Sequence, residues 1–185
     1  AQAAQAALNS PPGSSAPPGT FAIDARRLET LTSRMRNPLL FGFFMLQKLP
    51  LGFCAGLRVK SADERRCETT VPYGWRTQNP FKSTYFAAQS MAAELSTGVL
   101  AMLATDLAPA SVAMLIVDLE ASFGKKATGT TTFTCEDGDA IFAAVQRALE
   151  TGEAQTVRAE TVGRMPDGTE VSRFAFTWSF KKRSR

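Results

Sequence analysis

A chain of 185 residues with 44% apolar and 21% charged side chains has the length of one domain and the composition of an ordinary globular protein with a substantial core. Its formal charge of +4 is mild and carries no basic stripe interleaved with aromatics, which argues against a nucleic-acid surface. The chain has no histidine, which excludes Ser–His and Cys–His nucleophile pairs and histidine-ligated metal sites. Any chemistry falls to carboxylates, amides, hydroxyls and backbone groups.

Residues 1–20 are Ala, Gln, Ser, Pro and Gly with almost nothing to bury, and read as a disordered tail or linker ahead of a single domain over 21–185. Their opening lacks the basic and apolar regions of a signal peptide. From Asp24 to Leu49 the pattern is helical, broken at Asn37-Pro38 because the residue before proline avoids the α region. Leu39 to Phe53 is strongly apolar but interrupted by Gln47-Lys48 and Pro50. It is too short for a membrane span and reads as a docked amphipathic segment, with a peripheral membrane role as the alternative. Leu57 and Val59, then Cys67, Thr69 and Val71, alternate with polar residues around a turn at Asp63-Glu64, the pattern of a hairpin.

A long helix follows over Ser83–Thr105, rich in small and apolar residues, whose one charge is Glu94. Gln89, Ser90, Glu94, Ser96 and Thr97 make it too polar to cross a membrane alone. After Ala108-Pro109, a strand is expected over Val112–Phe123 with Val117, Leu119, Ala121 and Phe123 on one face. A second strand is expected over Ala127–Cys135, and a short helix from Asp139 to a glycine stop at Gly152. Two long strands close the chain around the turn Met165-Pro166-Asp167-Gly168. In the last of them Phe174, Phe176, Trp178 and Phe180 recur with period two, as a core face or subunit interface. The element order is α+β, built on a mostly antiparallel sheet wrapped around a helix of small residues.

Cys54, Cys67 and Cys135 are widely spaced and odd in number, the pattern of structural thiols in a reducing cytoplasm. The terminal run Lys181-Lys182-Arg183-Ser184-Arg185 is a solubilising end, or a steering charge for phosphates such as those of coenzyme A. Glu94 faces either water or an apolar pocket; in the second case its carboxyl pKa rises and it becomes a general acid or base. Asn79, before Pro80, is either a turn residue or a partner of Glu94.

With Asn79 fifteen positions before an acidic residue inside the long helix, the chain resembles the hotdog-fold acyl-CoA thioesterases of the phenylacetyl-CoA thioesterase-like branch. It is closest to a sub-branch of thioesterase-like domains with an N-terminal helical lead-in and an inserted helix, here Ala140 to Leu149. The resemblance spans roughly Asn37 to Phe180. It implies hydrolysis of an acyl-CoA-type thioester with Glu94 as base or nucleophile and Asn79 holding water or the carbonyl. First-turn N–H groups near Tyr85, Phe86 and Ala87 would form the oxyanion hole, with Ser90 and Thr97 on the face of Glu94. It further implies coenzyme A as part of the substrate, no separate cofactor or metal, and a homodimer or homotetramer whose sites are lined by both subunits. The sequence departs from the branch where Tyr85-Phe86-Ala87 stands in place of His-Gly-Gly. A non-catalytic acyl-CoA or lipid-binding hotdog domain is the alternative.

Overall fold

The computed structural model describes residues 21–184; the tail assigned to residues 1–20 lies outside the described residues. Two helices, α1 (Ala25–Arg36) and α2 (Pro38–Lys48), meet at Asn37. The break has a local cause. The Asn37 side-chain oxygen accepts from the N–H groups of Leu39 and Leu40 while Pro38 occupies the first turn, so α2 starts where α1 must stop. Asp24 caps α1 in the same way. A third short helix, α3 (Pro50–Ala55), ends at Gly56 with φ of 75°. The interruption expected at Pro50 is the start of this new helix, after the chain turns at Leu49.

Strands β1 (Arg58–Ala62) and β2 (Cys67–Val71) form the expected hairpin, with Asp63 accepting from the N–H groups of Arg65 and Arg66 in the turn. Helix α4 (Phe86–Leu107) starts three residues later than expected, because Thr84 is held in an isolated bridge to Gln78 and by its N–H bond to the Ala127 carbonyl. The remaining elements are β3 (Val112–Phe123), β4 (Thr131–Cys135), α5 (Gly138–Thr151), β5 (Gln155–Arg164) and β6 (Glu170–Lys182). The second expected strand is thus shorter than Ala127–Cys135, since Ala127 is spent tethering the loop before α4 through bonds with Ser83 and Thr84.

All six strands form one antiparallel sheet in the order β1-β2-β4-β5-β6-β3. β3 therefore sits at an edge beside β6, although β4 follows it in sequence. Helix α4 is enclosed by the sheet on one side and by α1, α3 and α5 on others, which explains a helix buried nearly all round. Ala92, Ala93, Ala101 and Ala104 are fully buried, and their small side chains let backbone approach backbone: the Thr69 hydroxyl of β2 donates directly to the Ala92 carbonyl at 2.6 Å. Phe174, Phe176, Trp178 and Phe180 line the core as expected, each burial contributing about 1.5–3 kcal/mol before conformational costs. The Met165–Gly168 turn also stands as expected, with Gly168 at φ of 84°.

One expected pattern fails instructively. The register of β3 against β6 slips between Ile116 and Asp118, so Val117 is a bulge residue. Met114 and Ile116, then Leu119, Ala121 and Phe123, oppose the core-facing residues of β6. The second half of this strip is exposed. An apolar face has been built there without a helix to cover it.

Cys67 and Cys135 are register partners on β2 and β4 and remain free thiols. Burial pushes the Cys135 thiol up to about 12 and that of Cys67 higher still, so neither is a nucleophile at neutral pH.

Candidate active site

Glu94 lies two turns into α4, its side chain half-buried. It borders a cleft of about 250 Å³ walled by Met45, Leu49, Leu51, Met91 and Leu95, with Lys48 on the rim. No hydrogen bond or ion pair reaches the Glu94 carboxylate among the described residues. Burial raises its carboxyl pKa above the ordinary carboxylate value, because the charged form has lost water without gaining a partner. The arrangement suits a group that takes a proton from a bound water or attacks an acyl carbon.

Gly98, one helical turn on, determines where that carboxylate sits. A Cβ at Gly98 would lie 3.3 Å from Glu94 Oε1 and 3.6 Å from the Trp178 ring. The carboxylate is folded back over the glycine, toward the C-terminal end of α4. Gly98→Ala is therefore expected to displace it while improving helix propensity by up to about 1 kcal/mol. Thermal melts and steady-state kinetics would register higher stability with lower kcat. Unchanged kinetics would mean that the carboxylate position carries no catalytic weight. Gly98 is a site residue that the sequence reading treated only as small.

Thr97 is fully buried. Its hydroxyl donates to the Glu94 carbonyl at 3.1 Å and accepts the Trp178 indole N–H at 3.1 Å. Both of its bonds are spent on packing, as is the Ser90 hydroxyl on the Phe86 carbonyl. The structure thus ties Thr97 to the fold of α4 against β6, with no hydrogen toward the Glu94 cleft.

At the start of α4, the Tyr85 N–H donates to the Thr77 carbonyl and is unavailable for an oxyanion. The first intrahelical bond runs from the Gln89 N–H to the Tyr85 carbonyl, leaving the N–H groups of Phe86, Ala87 and Ala88 without an acceptor in the helix. The free donors are thus displaced by one residue from the Tyr85–Ala87 set read from the sequence. No side chain caps this end. The buried Gln89 amide instead binds the Thr84 carbonyl and the Ser172 hydroxyl, anchoring the turn to β6, a role that nothing in the sequence signalled. Tyr85 and Phe86 are exposed and lean on one another. Phe86 points outward against Phe123 at the end of β3 rather than filling the cleft.

Asn79 belongs to the loop before α4. Its side-chain oxygen accepts from the N–H groups of Phe81 and Ser83, and its own N–H donates to the Ser83 carbonyl. It is a turn-closing residue with its amide nitrogen unused, and it does not line the cleft at Glu94. Since Glu94 stands about 12 Å along the helix from Phe86 and its carboxylate points away from that end, one chain does not unite Asn79, the free N–H groups and Glu94. Among the described residues no cluster of His, Cys, Asp or Glu suits a metal ion.

The class follows from the architecture. A single antiparallel sheet packed around one long helix is the hotdog fold. Similar solved structures include a probable thioesterase of unknown function, PA5026, from Pseudomonas aeruginosa. It is 18% identical, with a TM-score of 0.65 over 81% of this chain and 99% of that one. The PaaI protein of the phenylacetic acid degradation operon of E. coli is 12% identical, with a TM-score of 0.54 over 83% and 96% of the two chains. Thioesterase HI1161 from Haemophilus influenzae is 15% identical, with a TM-score of 0.53 over 88% and 92%. At these identities the likeness establishes the fold. No match is found among curated proteins. Residues 38–180 match the domain of unknown function DUF4442, and the chain belongs to that family.

Proposed function

We propose that the protein hydrolyses an acyl-CoA-type thioester to a free acid and a thiol. The observation that carries this reading is the unpartnered, half-buried Glu94 carboxylate at an apolar cleft, in a fold shared with proteins named as thioesterases. Glu94 takes a proton from water as that water attacks the thioester carbon, or attacks the carbon itself to give an anhydride that water then opens. In either course the tetrahedral intermediate collapses with cleavage of the C–S bond, and the departing thiolate takes up a proton to become the thiol. The first-turn N–H groups of Phe86, Ala87 and Ala88 receive the oxyanion, helped by the positive end of the helix. Asn79 offers its free amide N–H₂ to the carbonyl or the water. Coenzyme A enters as part of the substrate, and a reducing cytoplasm agrees with the free thiols. The test is a panel of acyl-CoAs assayed for thiol release. Saturable binding of acyl-CoA without turnover would favour a non-catalytic carrier instead, the reading suggested by a first turn that bears Phe86 and Ala87 where glycines would open the way to the backbone.

A second copy would complete the site. The uncovered strip of β3, Leu119 to Phe123, is continuous with Phe86 at the start of α4. Edge-to-edge pairing along β3 would cover both and bring the first-turn donors of one subunit toward the Glu94 cleft of the other. Leu119→Lys is expected to shift the protein from dimer to monomer in light scattering and to lower kcat/KM in step. A wild-type monomer with full activity would sink the shared site.

A further inference from the structure

Helices α2 and α3, which with Leu49 between them wall the Glu94 cleft through Met45 and Leu51, carry a further, outward apolar face. Helix α2 is apolar on two faces. Phe41 and Met45 point inward to the core, whereas Leu39, Phe43 and Leu46 recur at helical spacing on the outside. Leu39 is 83% exposed and Phe43 62%, and on α3 Leu51 reaches 74%. A helix that is apolar all round belongs in an apolar medium, yet this outer face meets none of the described residues that would bury it.

The charge carried by that segment itself is of one sign. No Asp or Glu occurs between Glu29 and Asp63, while Arg34, Arg36, Lys48, Arg58 and Lys60 fall within the interval. The same helices wall a cleft of about 430 Å³ in which Arg36, Arg58, Lys60 and Arg76 stand beside Pro38 and Phe53. Arg36 is paired with Glu29 and Lys60 with Glu68. Arg58 and Arg76 have no carboxylate partner among the described residues. A large exposed apolar patch rimmed by unneutralised guanidinium groups is a built interface.

We infer that α2 and α3 dock the protein on an anionic lipid bilayer, the leucine and phenylalanine side chains entering the headgroup boundary and the Arg58–Arg76 cleft holding lipid phosphate. The geometry is that of a helix lying in the interface plane: α2 has 11 residues, about 16 Å, against a hydrocarbon core of about 30 Å. Among the described residues no helix is long and apolar enough to cross a membrane. Charge decides between a bilayer and a second copy of the chain. A two-fold self-contact would set the cations of this segment against their own copies, with Asp106 and Glu94 at its borders offsetting them in part, whereas an anionic surface complements all of them. The inference does not depend on Glu94 being catalytic.

The experiment is co-sedimentation of the full chain with vesicles of phosphatidylcholine alone or of phosphatidylcholine with phosphatidylglycerol. The wild type is expected to pellet with the anionic vesicles, to stay in solution with the neutral ones, and to be released at high salt. Leu39→Glu with Phe43→Glu alters side chains that make no core, so circular dichroism should be unchanged while pelleting is lost. Arg58→Gln with Arg76→Gln is expected to weaken binding to anionic vesicles by about tenfold or more. The inference is overturned if the wild type ignores anionic vesicles, or if both double variants still pellet fully. It is equally overturned if free inorganic phosphate at millimolar level displaces the protein, which would mark the cleft as a site for soluble anions. Conversion of an oligomer to a monomer by Leu39→Glu with Phe43→Glu, without vesicle binding by the wild type, would assign the face to a second copy.

Discussion

Replacing Glu94 by glutamine is expected to lower kcat/KM for thioester hydrolysis by a factor on the order of 10²–10⁴, the usual contribution of a positioned general base, while making the protein more stable at neutral and alkaline pH. The two effects have one cause. Burial without a partner holds the Glu94 carboxyl above its ordinary value, so the folded chain keeps its proton in a pH range where the unfolded chain has lost it. The sign is the reverse of the common carboxylate case. The stability that Glu94 contributes is present below the unfolded-state value and is lost as pH rises through the folded one. The activity runs the other way, because only the ionised form accepts a proton or attacks carbon. The wild type should therefore gain kcat and lose melting temperature across the same pH window, and Glu94→Gln should show neither slope. Each kcal/mol is worth about 2–4 °C in a domain of this size, so parallel melts and rate measurements from pH 4 to 9 resolve both curves. Full hydrolysis by Glu94→Gln would remove Glu94 from the mechanism. A variant inactive but less stable at pH 8 would show that its carboxylate is stabilised by something other than what the cleft displays.

The second large effect concerns the fold alone. A Cβ added at Gly138 would lie 2.1 Å from the Glu64 carbonyl oxygen and 2.5 Å from the Arg65 Cα. Those atoms are backbone, in the turn between β1 and β2, and cannot move aside as a side chain does. Gly138 also donates its N–H to the Arg65 carbonyl at 3.0 Å. The start of α5 is thus pressed directly onto the hairpin turn that Asp63 organises. Gly138→Ala is expected to cost about 3 kcal/mol or more, a drop in Tm of roughly 6–12 °C. Gly74→Ala is the control, since a Cβ there meets nothing within 4 Å and should alter stability by less than about 0.5 kcal/mol. A Gly138→Ala protein that melts with the wild type would show that the contact between α5 and the turn is not a close backbone contact.

Elements whose signals are local were legible from the residues. Asn37-Pro38 ends one helix and caps the next with its own side chain; the alternation of Phe174 to Phe180 lies within one strand and faces one core. Gly152 and Gly168 hold the positive-φ positions that their turns require. The Glu94 carboxylate in the long helix was also visible, because a charge among alanines and leucines is a property of composition, although the helix runs past the expected Thr105 to Leu107 and takes in Asp106 as a second acid. Where local pattern was extrapolated across elements it slipped. The bulge at Val117 shifts which residues of β3 face the core side, and strict alternation has no means of signalling one inserted residue.

Sequence alone thus determined the element order, the antiparallel α+β class, the exclusion of histidine chemistry and the identity of the acidic residue to mutate first, since each of these depends on residue type and short-range spacing. The tertiary structure decided the rest. It placed β3 at an edge with its apolar strip uncovered, folded the Glu94 carboxylate over Gly98, and spent the Tyr85 N–H, the Thr97 hydroxyl and the Asn79 carbonyl oxygen on the fold itself. The Thr97 bond reaches Trp178, 81 positions away, and even the local bonds of Asn79 depend on how the loop is held, so no periodicity within a single element encodes which hydrogen bond a side chain has left to offer.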